Sequence, residues 1–378
     1  MAEVKHIFII CGEPSGDLNA GNLAKALKQL DPGIKISGIG GPILRQNADQ
    51  AADIIKELAV IGLFDALKKL PQFYALKNSI LQKIKSEKPN AIILVDFSGF
   101  NLRLARDINK TIPTIYYISP QVWASRPGRI ETIKKYIHKM IVLFKFEEEF
   151  YRRHGIKVDF IGHPLLDIVQ PSMNKSTFLK NYGLAESKTT IALLPGSRRQ
   201  EIRNILPTML KTSVLIAKKL PNTQFIIAKS PCVDWDIYNR KIRNTNLDIK
   251  IAEGKTYDCL NAADFCLVAS GTATLETAIM EKPFLIIYKM NLLNYLLYRP
   301  QVKLTLIGMV NIVAKKKIIP EFIQLKARPK RISQEALRIL SSPAQMQKIK
   351  DELARVKATL GDKGAATRAA KIILDFIK

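Results

Sequence analysis

Four short stretches of this 378-residue chain carry side chains able to do chemistry, each where an apolar run gives way to small or charged residues. The first is Gly12-Glu13-Pro14-Ser15-Gly16-Asp17, which follows the apolar run His6–Cys11 and opens a helical pattern. In such a junction a ligand meets backbone N–H groups and a helix dipole. Glu13 and Ser15 stand where a G-x-G-x-x-G dinucleotide fingerprint needs bare backbone, so the turn suits a sugar better than a pyrophosphate. Asp17 has a plainer reading, as a cap of the helix it opens. The second stretch is Asp96-Phe97-Ser98-Gly99-Phe100-Asn101, after the apolar Ala91–Val95. A carboxylate at the carboxyl end of a parallel strand faces the ligand crevice. Asp96 is therefore placed as a general base for a sugar hydroxyl, with a hydrogen-bonded structural role as the alternative.

The third stretch, Pro195-Gly196-Ser197-Arg198-Arg199-Gln200-Glu201, also leads from an apolar run into a helical pattern. Backbone N–H groups, the Ser197 hydroxyl and the Arg198 guanidinium together describe a clamp for a diphosphate. The Gly-Lys-Ser/Thr ending of a nucleotide-hydrolysing P-loop is missing. The fourth, Ser270-Gly271-Thr272-Ala273-Thr274-Leu275-Glu276, repeats the strand–turn–helix pattern with small hydroxyl residues. Ser270, Gly271 and Thr272 leave room for phosphate at a helix N-terminus. Glu276, one turn on, is able to accept both hydroxyls of a ribose, or simply to complement the helix dipole. Two such turns in one half of the chain describe a nucleoside-diphosphate pocket.

Other candidates carry less. Asp234-Trp235-Asp236 has the D-x-D spacing of metal-dependent sugar transferases, but it lies beside Pro231 among polar residues and reads as a surface turn or helix start. His163, in Gly162-His163-Pro164, falls at the break between the two halves. The cysteines at 11, 232, 259 and 266 have no metal-ligand spacing and read as reduced, buried thiols.

The elements that must position these turns are legible from periodicity. Strands are expected at His6–Cys11, Ile34–Ile39, Ala91–Val95, Thr114–Ile118, Lys139–Phe144 and Val158–Ile161. Helical spacing lies between them at Gly21–Leu30, Phe73–Lys85 and Arg129–His138. After a polar stretch the pattern restarts, with strands at Thr190–Leu194, Gln224–Ala228, Ile249–Ala252, Phe265–Ala269 and Phe284–Tyr288 and helical spacing at Leu206–Leu220 and Leu275–Met280. The expectation is an α/β protein of two Rossmann-like halves facing a cleft, residues 1–166 and 167–340. Residues 341–378 form a helical segment crossing back or exchanged in a dimer. The 59 Lys and Arg against 33 Asp and Glu leave a charge of +26, which calls for an anionic partner. Residues 301–378 alone hold 17 basic and 6 acidic side chains. Val60–Ile80 interleaves Lys68, Lys69 and Lys77 with large apolar residues, as a core helix pair or a segment lying on a membrane surface. No apolar run reaches the length of about 20 residues that spans a bilayer. No RNA- or DNA-binding signature accompanies the charge, so nucleic acid is not expected as a partner.

Taken in order, six motifs have one family in common: G-E-P-S-G-D at 12–17, D-F-S-G-F-N at 96–101, S-P-Q-V-W-A at 119–124, F-I-G-H-P at 160–164, L-L-P-G-S-R at 193–198 and S-G-T-A-T-L-E at 270–276. From about Ile7 to Asn311 the chain resembles the lipid-A-disaccharide synthase family, inverting glycosyltransferases of the GT-B architecture. The resemblance implies transfer from UDP-2,3-diacylglucosamine to 2,3-diacylglucosamine 1-phosphate, giving the β(1→6) disaccharide phosphate and UDP. It also implies a cytoplasmic enzyme peripheral to the inner membrane, no metal or other cofactor, and a homodimer with exchanged C-terminal segments. Carried over by motif, Asp96 is the base. Ser197, Arg198, Ser270, Gly271, Thr272 and Glu276 hold UDP, and Asn311 in Met309-Val310-Asn311 matches a donor-site asparagine. Glu13, Ser15 and His163 stand on the acceptor side. The chain departs from the family at Ser98, where proline is common, and at Ser125, where an aromatic residue is usual. Both positions bear on loop shape near the acceptor. The alternative is a UDP-sugar 2-epimerase of the same architecture, which would need neither the charge nor the amphipathic segment.

Overall fold

The structure is a computed structural model, and it describes residues 4–53, 70–243, 245, 247–291, 295 and 306–378. The chain divides into two compact units, one of Met1–Pro164 with Leu360–Lys378 and one of Leu165–Thr359.

Runs of Ile, Leu, Val and Phe with no polar alternation form strands only where both faces are covered, and that condition selects parallel sheets flanked by helices. The first unit holds β1 (His6–Ile10), β2 (Lys35–Gly40), β3 (Gln50–Asp53), β4 (Ala91–Val95), β5 (Thr114–Tyr117), β6 (Lys139–Val142) and β7 (Val158–Phe160). Their order is β3-β2-β1-β4-β5-β6-β7, every pair parallel. Every residue of β1 and β4 is buried. The second unit holds β8 (Thr189–Leu194), β9 (Thr223–Lys229), β10 (Ile249–Glu253), β11 (Phe265–Ala269), β12 (Phe284–Tyr288) and β13 (Glu321–Ile323), in the order β10-β9-β8-β11-β12-β13, again all parallel. The direction of winding reverses between β1 and β4 in one sheet and between β8 and β11 in the other. Loops leaving the carboxyl ends of such paired strands diverge and open a crevice.

The expected strands are present to within about two residues, the usual scatter of boundaries. Two others were not expected. β3 is Gln-Ala-Ala-Asp, without a branched side chain, and β13 has only three residues. Both are edge strands, held by one neighbour rather than by burial on two sides.

The final segment divides between the units. Pro343–Thr359 is a helix of the second, whereas Ala365–Phe376 packs on Pro14–Leu30 in the first. Close approach is made possible by small residues, since Ala365, Ala369 and Ala370 are all buried. The F-I-G-H-P motif is where this return docks. His163 N–H donates to Leu360 O at 2.8 Å, and Arg368 Nε donates to Ile161 O at 2.7 Å. Gly162 has φ +80, and a Cβ there would lie 2.9 Å from Arg368 and 3.1 Å from the Asp362 carbonyl.

Half of the amphipathic 60–80 stretch, residues 60–69, lies outside the described residues. The remainder belongs to the helix Leu70–Glu87, and its apolar face packs inward. Ile80 and Ile84 are buried, and the Phe73 ring lies 6.5 Å from Phe97 and 6.2 Å from Phe100. Phe73 is therefore half-buried, with its ring packed against the core. Among the described residues no helix is long and apolar enough to cross a membrane. All four cysteines are free. Cys11, Cys259 and Cys266 are buried as expected, whereas Cys232 is exposed.

Candidate functional site

The two glycine-bearing turns of the first unit leave β1 and β4, the pair that flanks the reversal of winding. Asp96 stands one residue beyond β4 with φ +47, and Phe97 follows at φ +44. Two successive left-handed non-glycine residues are strained and persist only where the surroundings fix them. Here the Asp96 carbonyl accepts from Tyr116 Oη at 2.6 Å and from Asn101 Nδ2 at 2.9 Å. Asn101 thus braces the main chain and leaves the Asp96 carboxylate to other use. Burial, then the negative charge of Glu13, push the Asp96 carboxyl up to about 6, partly offset by the Phe97 N–H.

Glu13 and Asp96 are the two candidates that the fold brings together. Ser15 is exposed on the first turn of Pro14–Leu30, and its carbonyl accepts from Asn19. Asp17 does not cap its own helix. Its carboxylate accepts the N–H groups of Gly41, Ile43 and Leu44 at 2.9–3.0 Å and so holds the N-terminus of the next helix, Pro42–Asn47. His163 follows β7, three strand positions from β4, or about 14 Å at the usual strand spacing. Its ring is buried against Phe144 at 5.1 Å, and burial lowers its pKa to about 4, so it is neutral at physiological pH. Sequence reasoning missed Glu147. This buried carboxylate accepts from Ser119 Oγ at 2.6 Å, Trp123 Nε1 at 3.1 Å and the Phe144 N–H at 3.1 Å. It ties the S-P-Q-V-W-A loop to the end of β6. A glutamate three residues into a helix, just past a strand, was the available signal.

In the second unit the turns leave β8 and β11. Gly196 has φ +113, and a Cβ there would lie 2.5 Å from the Glu201 carboxylate. That carboxylate accepts the N–H groups of Ser197 and Arg198 at 3.1 and 3.3 Å. The expected diphosphate cradle of backbone N–H groups is therefore already satisfied from within the turn. The Ser197 hydroxyl and the Arg198 guanidinium remain, both on exposed residues, the latter 3.6 Å from Glu201. Across the reversal, Gly271 has φ +153 with nothing within 4 Å of a Cβ position. Ser270 Oγ donates to Ile307 O at 3.2 Å, Thr272 is exposed, and Glu276 lies half-buried one turn on. Burial raises the Glu276 pKa, and a hydrogen bond from Tyr257 Oη at 3.1 Å partly offsets it. Tyr257, on the helix Thr256–Ala262, was not expected at the site.

Asn311 is engaged by its own surroundings. It is fully buried, its Oδ1 accepts from the Ile318 and Ile319 N–H groups, and its Nδ2 donates to Ile319 O and Glu321 Oε1 at 2.8 Å. Glu321 also accepts the N–H groups of Ile307 and Gly308. With no donor or acceptor left over, Asn311 fixes the loop that borders Ser270. The D-x-D pair lies at a helix start, Asp234 paired with Arg199 and Asp236 with Arg240 at 3.5 Å. Among the described residues no three His, Cys, Asp or Glu side chains cluster as metal ligands.

The pattern of the lipid-A-disaccharide synthetase family matches residues 7–375. The lipid-A-disaccharide synthase of Syntrophus aciditrophicus (strain SB) is 41% identical over 377 residues, covering 99% of this chain and 98% of that protein. That of Geobacter metallireducens is 37% identical over 375 residues, covering 99% and 97%. Among solved structures, a UDP-GlcNAc 2-epimerase from Neisseria meningitidis bound to UDP-GlcNAc superposes with TM-score 0.61 at 12% identity, covering 99% of each chain. A glycotransferase of kitacinnamycin gives 0.67 at 14% identity over the whole of both chains. At such identity these two likenesses speak for the fold alone.

Proposed function

The chain belongs to the lipid-A-disaccharide synthase family, and we propose that it joins UDP-2,3-diacylglucosamine to 2,3-diacylglucosamine 1-phosphate as an inverting glycosyltransferase. The acceptor's 6-hydroxyl attacks the anomeric carbon of the donor, the bond to the diphosphate breaks, and UDP leaves with the electron pair. Asp96 takes the hydroxyl proton. A carboxyl at about 6 is ionised at physiological pH yet more basic than an ordinary aspartate, which suits a general base. The observation that supports this assignment is the placing of Asp96 just past the carboxyl end of β4, its main-chain carbonyl fixed by Asn101 and Tyr116 and its carboxylate half-buried beside Glu13 with the Phe97 N–H as its hydrogen-bond donor.

On the donor side, Arg198 and the Ser197 hydroxyl meet the diphosphate, and Ser270, Gly271 and Thr272 supply the second turn. Charge building on the leaving group is stabilised by such preset donors. Glu276, oriented by Tyr257, accepts from the ribose. Glu13 tunes Asp96, and Ser15 borders the acceptor. His163, neutral and beside the docked C-terminal segment, acts through the loop it holds. Asn311 acts on the donor pocket in the same indirect way.

The charge of +26 supports docking on the anionic cytoplasmic face of the inner membrane. Residues 60–69, with Leu63, Phe64, Lys68 and Lys69, and the basic 301–378 portion are the proposed contacts. Sedimentation with anionic vesicles, reversed by high salt, checks this. The family resemblance supports a homodimer, which sedimentation velocity reads directly. The reaction itself is tested by following UDP release with both substrates. Conversion of a UDP-sugar to its 2-epimer, without UDP release, would replace this reading with the epimerase.

A further inference from the structure

The helix Ser98–Ile108 and the loop entering Arg129–Tyr136 bring three arginines together beside the Asp96 turn. Arg129 is half-buried and donates through Nη1 to Ser98 Oγ at 2.8 Å. Its Nη2 lies 3.9 Å from where a Cβ on Gly99 would stand. Arg126, exposed and held at φ +54, and Arg103, exposed on the helix after the turn, press like charge on that guanidinium. Among the described residues none of the three is within ion-pair distance of a carboxylate, and three acids elsewhere in the unit are committed. Asp107 pairs with Lys77, Asp49 with Lys28 and Asp159 with Lys139.

Like charges held together without a counter-ion work against the fold, and partial burial of one of them sharpens the effect. A phosphate dianion relieves that repulsion, and the planar guanidinium fork matches phosphate oxygens two at a time. Ser98 adds a donor. Its oxygen already accepts from Arg129, which leaves its own hydrogen for a ligand. Ser98 is two residues from Asp96, at most about 7 Å of chain. In a hexopyranose the anomeric carbon and the carbon bearing the 6-hydroxymethyl arm both flank the ring oxygen, so the phosphate and the 6-hydroxyl of a single sugar phosphate are close enough together to fit this stretch.

We propose that Ser98, Arg126 and Arg129, with Arg103 at the rim, seat the anomeric phosphate of the acceptor while Asp96 receives its 6-hydroxyl. The assignment rests on the reaction proposed above, and it makes this chain's serine, in place of the family's common proline, part of acceptor recognition.

The experiment is a substrate-by-mutant comparison in neutral detergent micelles free of phospholipid. Wild type, Arg126→Gln, Arg129→Gln and Ser98→Ala are assayed with 2,3-diacylglucosamine carrying or lacking the 1-phosphate. Arg129→Gln is expected to lower kcat/KM on the phosphorylated acceptor by about 10- to 100-fold, the worth of a charge-assisted hydrogen bond. Arg126→Gln and Ser98→Ala should lower it by about two- to tenfold. Each loss should all but vanish on the acceptor lacking phosphate, with the donor KM unchanged. Arg126 is exposed and without a partner among the described residues, so its variant folds as the wild type does. An equal loss on both acceptors overturns the proposal, as does a raised donor KM, which would move the arginines to UDP. Variants normal in micelles and impaired only on anionic vesicles also overturn it, in favour of lipid headgroups. If the wild type releases no UDP with either acceptor, the reaction assignment is what fails.

Discussion

Asp96→Asn is expected to stabilise the protein while removing its turnover. In the folded chain the Asp96 carboxyl is pushed up from 3.8 to about 6, first by burial and then by the charge of Glu13. A carboxyl that ionises less readily in the folded chain than in the unfolded one weakens the fold once it is charged. The penalty is absent below 3.8, grows between 3.8 and about 6, and is complete above 6. At about 1.4 kcal/mol per pH unit the full elevation would amount to about 3 kcal/mol. Solvent reaching the half-buried side chain reduces this to about 1–2 kcal/mol at pH 7.5. Asparagine keeps the size, carries no charge and accepts the left-handed φ of +47 better than most residues, so the exchange adds no backbone strain. In a unit of this size the gain corresponds to a melting temperature higher by roughly 2–8 °C at pH 7.5, with little difference at pH 4. Turnover should fall by about 10²–10⁴-fold, the usual contribution of a positioned base. Calorimetry at the two pH values and UDP release at pH 7.5 give the two readouts. A melting temperature that falls together with turnover would refute the reasoning, because the carboxylate would then be an anchor of the turn.

Three further outcomes follow from the same geometry. Activity should fall as pH drops through about 6 and Asp96 takes up its proton; Glu13→Gln should move that acidic limb of kcat/KM downward by less than about one pH unit, since burial is the larger cause. Arg198→Ala should lower turnover by about 10- to 100-fold with weaker UDP binding by calorimetry, the loss of one charge-assisted contact; unchanged UDP affinity would remove the diphosphate from this turn. Asn311→Ala leaves the buried Ile319 N–H without a partner, whereas the Ile318 N–H keeps the Lys316 carbonyl, and should destabilise the second unit by about 1–3 kcal/mol in urea unfolding, with loss of donor binding following that loop rather than a missing contact.

The turns were legible because a parallel strand announces its own end. Four or five buried aliphatic residues stop at a small or charged one, and at β1, β4, β8 and β11 that residue begins a candidate motif. What each polar group does after the turn was less legible. Asp17 and Asp96 are both aspartates beside a strand end, yet Asp17 is used up by three N–H groups more than 20 residues away. The sequence Pro-Gly-Ser-Arg looks the same whether its N–H groups face a ligand or the carboxylate of Glu201. Asn311 matches a donor-site asparagine by position, and only the structure shows that its four hydrogen bonds are all made within its own loop and strand. Tyr257 reaches Glu276 from another helix, a contact that no local spacing encodes.

The G-E-P-S-G-D and D-F-S-G-F-N motifs, some 80 residues apart, belong to one physical unit, and this accounts for the glycine in the first. Phe97 holds its left-handed backbone by laying its ring against Phe100 at 5.2 Å and over the backbone of Gly12. A Cβ on Gly12 would stand 2.4 Å from that ring, so any other residue there would push Phe97 out of its place. Gly16 sits in the same seam, its absent Cβ 3.4 Å from Cys11 and 3.8 Å from the Asp96 Cβ. Because β1 and β4 are adjacent and parallel, the two turns emerge side by side, and Glu13 comes near enough to raise the Asp96 pKa. Strain at Asp96 and Phe97, a bare backbone at Gly12 and the charge of Glu13 are then parts of a single arrangement that holds one carboxylate half-buried beside a second negative charge. Burial has the largest hold on Asp96. A change at Gly12 that displaced Phe97 and opened the turn to solvent would therefore return the carboxyl toward an ordinary surface acid, whereas loss of the Glu13 charge alone would lower its pKa only in part.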